Sequence, residues 1–376
     1  MHVAVLGAGY AGIAATRQLE TALADDVELT LVDERETHLV QHLIHRAVRE
    51  PSLSEELTMP LSELLERANH RQATVTDVDP DAGTVEFSDG ALQYDAGIVA
   101  LGAETAFYGL PGVREQAVAL KRLEHATRIR EGFESVPANG RVVVCGAGLS
   151  GVQIAGELAA LGRDRGTEPA VVLVEQEGTV APRFSEPFQR ALADELDQRG
   201  VTVRTNATVT GVDAETLHLA GEEQLGYDQL LWTGGIAGGG ALAGNRPQVR
   251  ATLRLGDRTL GAGDAVQAVD ADGQLAPASA QTAVRQAGVA ATNAERLLEH
   301  HRAGASGFEP RLDRYRYTSP GWVVSVGNGT VAQVGGSVLR GSAARAVKTT
   351  VAAGYLGQLG SVESAASYAR EQLHHE

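Results

Sequence analysis

HVAVLGAGYAGIAATRQL, residues 2–19, decides the fold. An apolar run, His2 to Leu6, reads as a strand buried on both faces, and the stretch after Gly12 reads as a helix. Between them Gly7, Gly9 and Gly12 form a G-x-G-x-x-G turn. Glycines there permit a tight turn and let a pyrophosphate approach the N-terminus of a helix, where free N–H groups and the helix dipole favour an anion. A second strand, VELTLVD, ends at Asp33, an acid spaced to take a ribose hydroxyl pair. The glycines alone would be weak evidence; the strand, helix and acid together make a β-α-β dinucleotide unit.

The pattern recurs in RVVVCGAGLSGVQIAGEL, residues 141–158, with Gly146, Gly148 and Gly151, and the strand AVVLVE ends at Glu175. Two such units in one chain suggest a tightly held flavin dinucleotide, FAD, and an exchangeable nicotinamide dinucleotide. Glu175 favours NADH, because a carboxylate repels the extra phosphate of NADPH, while Arg183 nearby in sequence pulls the other way.

RTLGAGDAV, residues 258–266, reads as a short strand ending at Gly263 and Asp264, which can present a carboxylate to a flavin's ribityl hydroxyls. SAQTAVRQAG, residues 279–288, follows, with Ser279 as N-cap of a helix. Aimed at a flavin, that helix end would favour negative charge on the ring.

The expected architecture is α/β, with two Rossmann-like FAD/NAD(P)-binding domains, the NAD domain inserted in the FAD domain, and a C-terminal α+β extension. Expected boundaries are 1–110 and 233–304 for the FAD domain, 111–232 for the NADH domain, and 305–376 for a C-terminal region contacting a dimer partner or a membrane. Seams are expected at YGLPGV (108–113) and LLWTGGIAGGG (230–240).

The chain has 376 residues, one cysteine and a formal charge of −16. A lone Cys145, at the end of an apolar strand, can form neither an internal disulfide nor a C-x-x-C redox pair. The charge argues against a nucleic-acid partner. Lys121 and Lys348 are the only lysines, an acidic and lysine-poor balance that suits a salt-rich cytoplasm as well as a GC-rich genome. With no long apolar run and no signal-peptide pattern, a cytoplasmic protein is expected, peripheral on the cytoplasmic face of the cell membrane if attached to it.

These motifs, with THLVQHLI (37–44), ALGAETAFYGLPGV (100–113), LKRLEHATRIR (120–130), VAPRF (180–184), LLWTGG (230–235) and GAGDA (261–265) in order, resemble type II NADH:quinone oxidoreductases. These are single-subunit, non-proton-pumping respiratory flavoenzymes of the two-dinucleotide superfamily. The resemblance covers roughly residues 1–300. It implies that NADH passes a hydride to FAD and that two electrons go on to a quinone, menaquinone-like, in a homodimer. It adds Gly102 and Gly234 to the cofactor residues. It also implies that Ala280, Gln281 and Gln286, matching A-Q-x-A-x-x-Q, line the quinone site, with the two amides bonding quinone carbonyls.

The family carries Glu in G-V-E after its second turn, where this chain has Gln153, so proton delivery to the quinone must use another group or water. Gln153 keeps the capacity to orient nicotinamide. In the C-terminal stretch GSAARAVKTTVAAGYLGQLG, Val347, Val351 and Tyr355 share a helix face and Arg340, Arg345 and Lys348 form a basic cluster suited to anionic lipid heads. A helix docking on a dimer partner or domain is the equal reading. His38, His42 and His45 would share a helix face and mimic a metal site, but no carboxylate or thiol completes a ligand set, so no metal is expected. Tyr317 and Trp322 read as core aromatics, with a wall of the quinone tunnel as the rival. The single cysteine sets the chain apart from sulfide:quinone oxidoreductases, which need further cysteines. Two other functions stand beside the first: a soluble NADH-dependent reductase of an iron–sulfur protein or dioxygen, and a redox-sensing NADH-binding flavoprotein.

Overall fold

The computed structural model describes residues 1–304 and 308–358. The end of GSAARAVKTTVAAGYLGQLG and the rest of the expected C-terminal region, residues 359–376, lie outside the described residues. The chain divides into two compact units.

The first unit comprises Met1–Leu39, Thr58–Glu104 and Ile236–Thr318. Its centre is a five-stranded parallel sheet in the order Thr259–Gly261, Ala96–Val99, His2–Leu6, Glu28–Asp33, Asn69–Gln72. Parallel strands covered on both faces need apolar residues throughout, and Val3, Ala4, Val5 and Leu6 are all fully buried. Helix Tyr10–Ala22 buries Ala11, Ala15 and Leu19 along one stripe and Ile13 on another side. It packs on helix Ala280–Arg302, whose buried Ala283, Ala287, Ala290 and Ala294 allow close approach. Gln18 Nε2 ties the pair by donating to Thr292 Oγ1 at 3.0 Å. A three-stranded antiparallel sheet, Val75–Asp79, Thr84–Phe87 and Gly90–Gln93, completes this unit.

The second unit comprises Val40–Leu57, Thr105–Gly235 and the described residues from Ser319 onward. It repeats the plan: a parallel sheet ordered Val118–Ala119, Gln229–Trp232, Arg141–Cys145, Ala170–Val174, Thr202–Arg204, and an antiparallel sheet of Val209–Val212, Thr216–Leu219 and Gln224–Gly226. Cys145 is buried, and burial pushes its thiol up to about 12, so it is inert as a nucleophile. The C-terminal part adds an antiparallel sheet, Gly321–Val326, Gly329–Val334 and Ser337–Arg340, and helix Gly341–Gln358. Gly156 admits this sheet, since a Cβ there would collide with the Val326–Gly327 backbone. Trp322, half-buried, packs edge-on to Phe184 at 5.0 Å within the same unit.

Segment Val40–Leu57 leaves the chain of the first unit and folds with the second. Val40 N–H closes its base on the Leu57 carbonyl at 2.8 Å. Arg130 donates to the Val48 and Arg49 carbonyls, and Arg49 Nε lies 2.9 Å from Glu157 Oε2 as an ion pair. Val40, Leu43, Ile44, Ala47 and Val48, at helical spacing, are buried as well, so apolar packing and polar contacts hold the segment together.

Two expectations are corrected. His38, His42 and His45 do not share one helix: they lie on strand Thr37–Leu39, 3₁₀ turn Gln41–Leu43 and helix Ile44–Arg49, because the chain is extended through Leu39. Nor do Arg340, Arg345 and Lys348 form one basic surface. Arg340 pairs with Asp194 at 2.7 Å, and Lys348 turns its ammonium inward toward Arg46, Arg49, Glu50 and Glu157, where burial brings its pKa down to about 8. Among the described residues no helix is long and apolar enough to cross a membrane.

Candidate functional site

In the first unit the chain leaves strand His2–Leu6 through Gly7, whose φ of +103° suits glycine. A Cβ on Gly7 would strike the Ala100 carbonyl, and one on Gly12 would overlap the Gly7 carbonyl oxygen. These two positions are therefore closed to side chains by packing. At Gly9, in contrast, a Cβ would meet nothing, so open space lies before the helix. Gly9 is the N-cap of helix Tyr10–Ala22 and no side chain caps it. The first N–H groups of such a helix have no intrahelical partner, and here none is taken by a capping side chain. Gly102, φ +69°, also borders open space.

Asp33 braces this turn. Its Oδ2 accepts the Ala8 N–H at 2.6 Å and its Oδ1 the Arg35 N–H at 2.9 Å. Each carboxylate oxygen retains a lone pair for a hydroxyl donor.

The second unit reproduces the design. Gly146 has φ +97°, a Cβ on Gly151 would overlap the Gly146 carbonyl oxygen, and Gly148 is an N-cap without a side-chain cap, facing open space. Glu175 Oε2 accepts the Ala147 N–H at 2.7 Å and Oε1 the Glu177 N–H at 3.0 Å. Gly234 backs the turn: a Cβ on Gly146 would strike its backbone.

The Gly263–Asp264 turn is a 3₁₀ element after strand Thr259–Gly261. Gly263 has φ +69°, and a Cβ there would press on Ala11 and Ala283, so the turn is wedged between the two packed helices. Arg246, which the sequence reading missed, donates from Nε to the Asp264 carbonyl at 2.6 Å and from Nη2 to the Val266 carbonyl at 3.0 Å. No local spacing announces a residue so far upstream. Ser279 caps helix Ala280–Arg302 by accepting the Thr282 N–H at 3.1 Å, as expected.

The expected pair of quinone amides separates. Gln286 is 2% exposed, and its Oε1 accepts the Gly263 N–H at 2.8 Å, so it holds the turn instead of facing a substrate. Helical geometry puts residues five apart well around the axis from each other, which is why Gln281 and Gln286 diverge. Gln281 Nε2 is buried and has no hydrogen-bond partner, a donor left for an acceptor the protein does not supply. Ala280 is partly exposed beside it in the first turn.

In the second unit Gln153 lies in the first turns of helix Leu149–Arg165, with Nε2 3.0 Å from His45 Nε2. An amide nitrogen only donates, so that ring nitrogen is the acceptor. Burial, with the cationic groups of Lys348 and Arg46 near, holds the His45 pKa well below its ordinary value, so the ring is neutral.

These residues fit two dinucleotides. The uncapped helix ends, the open space at Gly9 and Gly148, and an acid at the second strand of each unit match a pyrophosphate and a ribose.

The pyridine nucleotide-disulphide oxidoreductase family model matches residues 1–287. The chain is 30% identical to the demethylphylloquinone reductase NdbB of Synechocystis, over 78% of each chain. It is 26% identical to a type II NADH:quinone oxidoreductase of Staphylococcus aureus, over 93% of each. The solved structure of NDH2 from Plasmodium falciparum in complex with NADH superposes with a TM-score of 0.76 at 15% identity, covering 98% of this chain and 97% of the other.

Proposed function

This chain belongs to the pyridine nucleotide-disulphide oxidoreductase family, among the type II NADH:quinone oxidoreductases, and from that premise we propose that it oxidises NADH and reduces a menaquinone-like quinone without pumping protons. The observation that carries this reading is the pair of dinucleotide cradles, one in each unit. The first, with Gly7, Gly9, Gly12, Asp33, Gly102, Gly263 and Asp264, would hold FAD; the second, with Gly146, Gly148, Gly151, Glu175 and Gly234, would hold NADH. FAD, when bound, supplies the relay that takes a hydride from NADH and returns two electrons to the quinone.

The protein's own work is binding and orientation. Asp33 and Glu175 fix the first peptide of each turn and offer their remaining lone pairs to ribose. Asp264, on a turn held by Arg246 and Gln286, presents its carboxylate to the ribityl chain. The N-terminal end of helix Ala280–Arg302 carries partial positive charge where it meets the Gly263 turn, which offsets negative charge arising nearby. Gln281 Nε2 is the donor for a quinone carbonyl. A carboxylate is absent at Gln153, and protons reach the quinone by water or another side chain.

A homodimer attached peripherally at a membrane, working in a salt-rich cytoplasm, is the setting proposed for it. The lysine-poor charge of −16 supports the salt reading. Equal stability in low and molar salt would remove it.

Anaerobic stopped-flow tests the reaction. Mixing the yellow protein with NADH should bleach the flavin, and a water-soluble menaquinone analogue should restore its absorbance quickly. Bleaching without recovery by the quinone would assign the electrons to another acceptor.

A further inference from the structure

We propose that His38 is a positioning residue for the flavin dinucleotide, setting the direction of the Ala8–Gly9 peptide in the first glycine turn. The inference rests on the reading that this turn holds FAD. His38 is completely buried, and its Nδ1 lies 2.8 Å from the Ala8 carbonyl oxygen. A carbonyl only accepts, so Nδ1 carries the proton. The ring also meets Tyr10, the first residue of the helix, edge-on at 5.3 Å. Burial lowers the His38 pKa, consistent with a neutral ring whose single N–H is committed to Ala8.

Two successive peptides of the turn are thereby fixed by side chains. Asp33 takes the Ala8 N–H, and His38 takes the Ala8 C=O. In a trans peptide the N–H points opposite to the C=O. Holding the Ala8 carbonyl on His38 therefore turns the Gly9 N–H the other way. Without that bond Gly9, whose φ is free to change sign, offers little resistance to a flip of the Ala8–Gly9 peptide, and a flipped carbonyl would present negative charge to a pyrophosphate.

The second unit supplies an independent comparison. There Glu175 takes the Ala147 N–H, and the Ala147 carbonyl accepts the Ala181 backbone N–H at 2.8 Å. The same two groups of the same turn residue are fixed in both units. In the second the donor to the carbonyl is main chain; in the first it is the imidazole of His38.

The test compares His38→Leu, which keeps bulk and loses the donor, with His38→Asn, whose amide nitrogen replaces Nδ1. Apoprotein is titrated with FAD and the quenching of flavin fluorescence gives the dissociation constant, while NADH binding to the same apoprotein serves as control. The expected result is FAD affinity weakened about tenfold or more in His38→Leu, recovered in large part in His38→Asn, with NADH binding unchanged in both. Unchanged FAD affinity in His38→Leu overturns the proposal. So does an Asn variant as weak as the Leu variant, which would make ring shape the requirement. If unaltered protein binds no FAD at all, the flavin reading of the first turn fails instead.

Discussion

The side-chain oxygen of Gln286 accepts the backbone N–H of Gly263 at 2.8 Å, joining helix Ala280–Arg302 to the turn that carries Asp264. A side chain that the family resemblance assigns to the quinone instead anchors the turn proposed to meet the flavin. Gln286→Leu should leave the Gly263 N–H without its partner, a cost of about 1–3 kcal/mol, on the order of tenfold in flavin affinity. The flavin-to-protein ratio after dialysis measures it. A full complement of flavin in the variant would contradict the assignment.

Gln281 behaves oppositely. Its Nε2 is buried without a partner, so Gln281→Leu removes an unsatisfied donor and should leave unfolding stability equal or raised by about 1 kcal/mol. Quinone KM should nevertheless rise, while the rate of flavin bleaching by NADH stays unchanged. Urea unfolding and steady-state kinetics on one preparation test both halves, and lost stability would show that the amide has a structural partner.

Gly151→Ala should separate the two nucleotides. The added Cβ overlaps the Gly146 carbonyl oxygen and crowds Thr233 Oγ1, so the second turn must deform. The variant should purify yellow yet bind NADH at least about tenfold more weakly. Loss of flavin in this variant would mean that the first turn depends on the second.

Glu175→Ala should raise the NADH KM about tenfold, because it removes both the acceptor for the Ala147 N–H and the charge proposed to meet the ribose. NADH saturation curves give the change. Discrimination against NADPH should also narrow, since the repelling carboxylate is gone.

Stability should fall on mild acidification. Burial depresses the pKa of both His38 and His45, so the folded protein keeps them neutral while the unfolded chain takes up protons as pH drops through about 6.5. Stability from this source is complete above that value and is lost as pH falls toward the folded values. Urea midpoints at successive pH values should show the decline, and His45→Gln should flatten it. An unchanged slope would place the acid sensitivity in other groups.

What was legible in the sequence was what short-range sterics enforce. Gly12 and Gly151 are required by the carbonyl oxygens of Gly7 and Gly146, five residues before them, so their spacing exposed both cradles. Asp33 and Glu175 end strands adjacent to those turns, which fixed their interval too. The repeated antiparallel sheets were not seen, because strands such as Val75–Asp79 and Val209–Val212 are short and half polar. Long-range polar bonds were equally silent: Arg246 reaches 18 residues along the chain to Asp264, and Gln153 meets His45 across 108.

The two turns also differ in how they withstand mutation. The Ala147 carbonyl is held by the main-chain N–H of Ala181, which every replacement of that residue except proline retains. The Ala8 carbonyl depends on one imidazole, which a single codon change can delete. Replacements at position 38 that lack a donor should therefore yield colourless variants, whereas Ala181→Gly, which keeps the N–H and suits the positive φ there, should keep NADH binding.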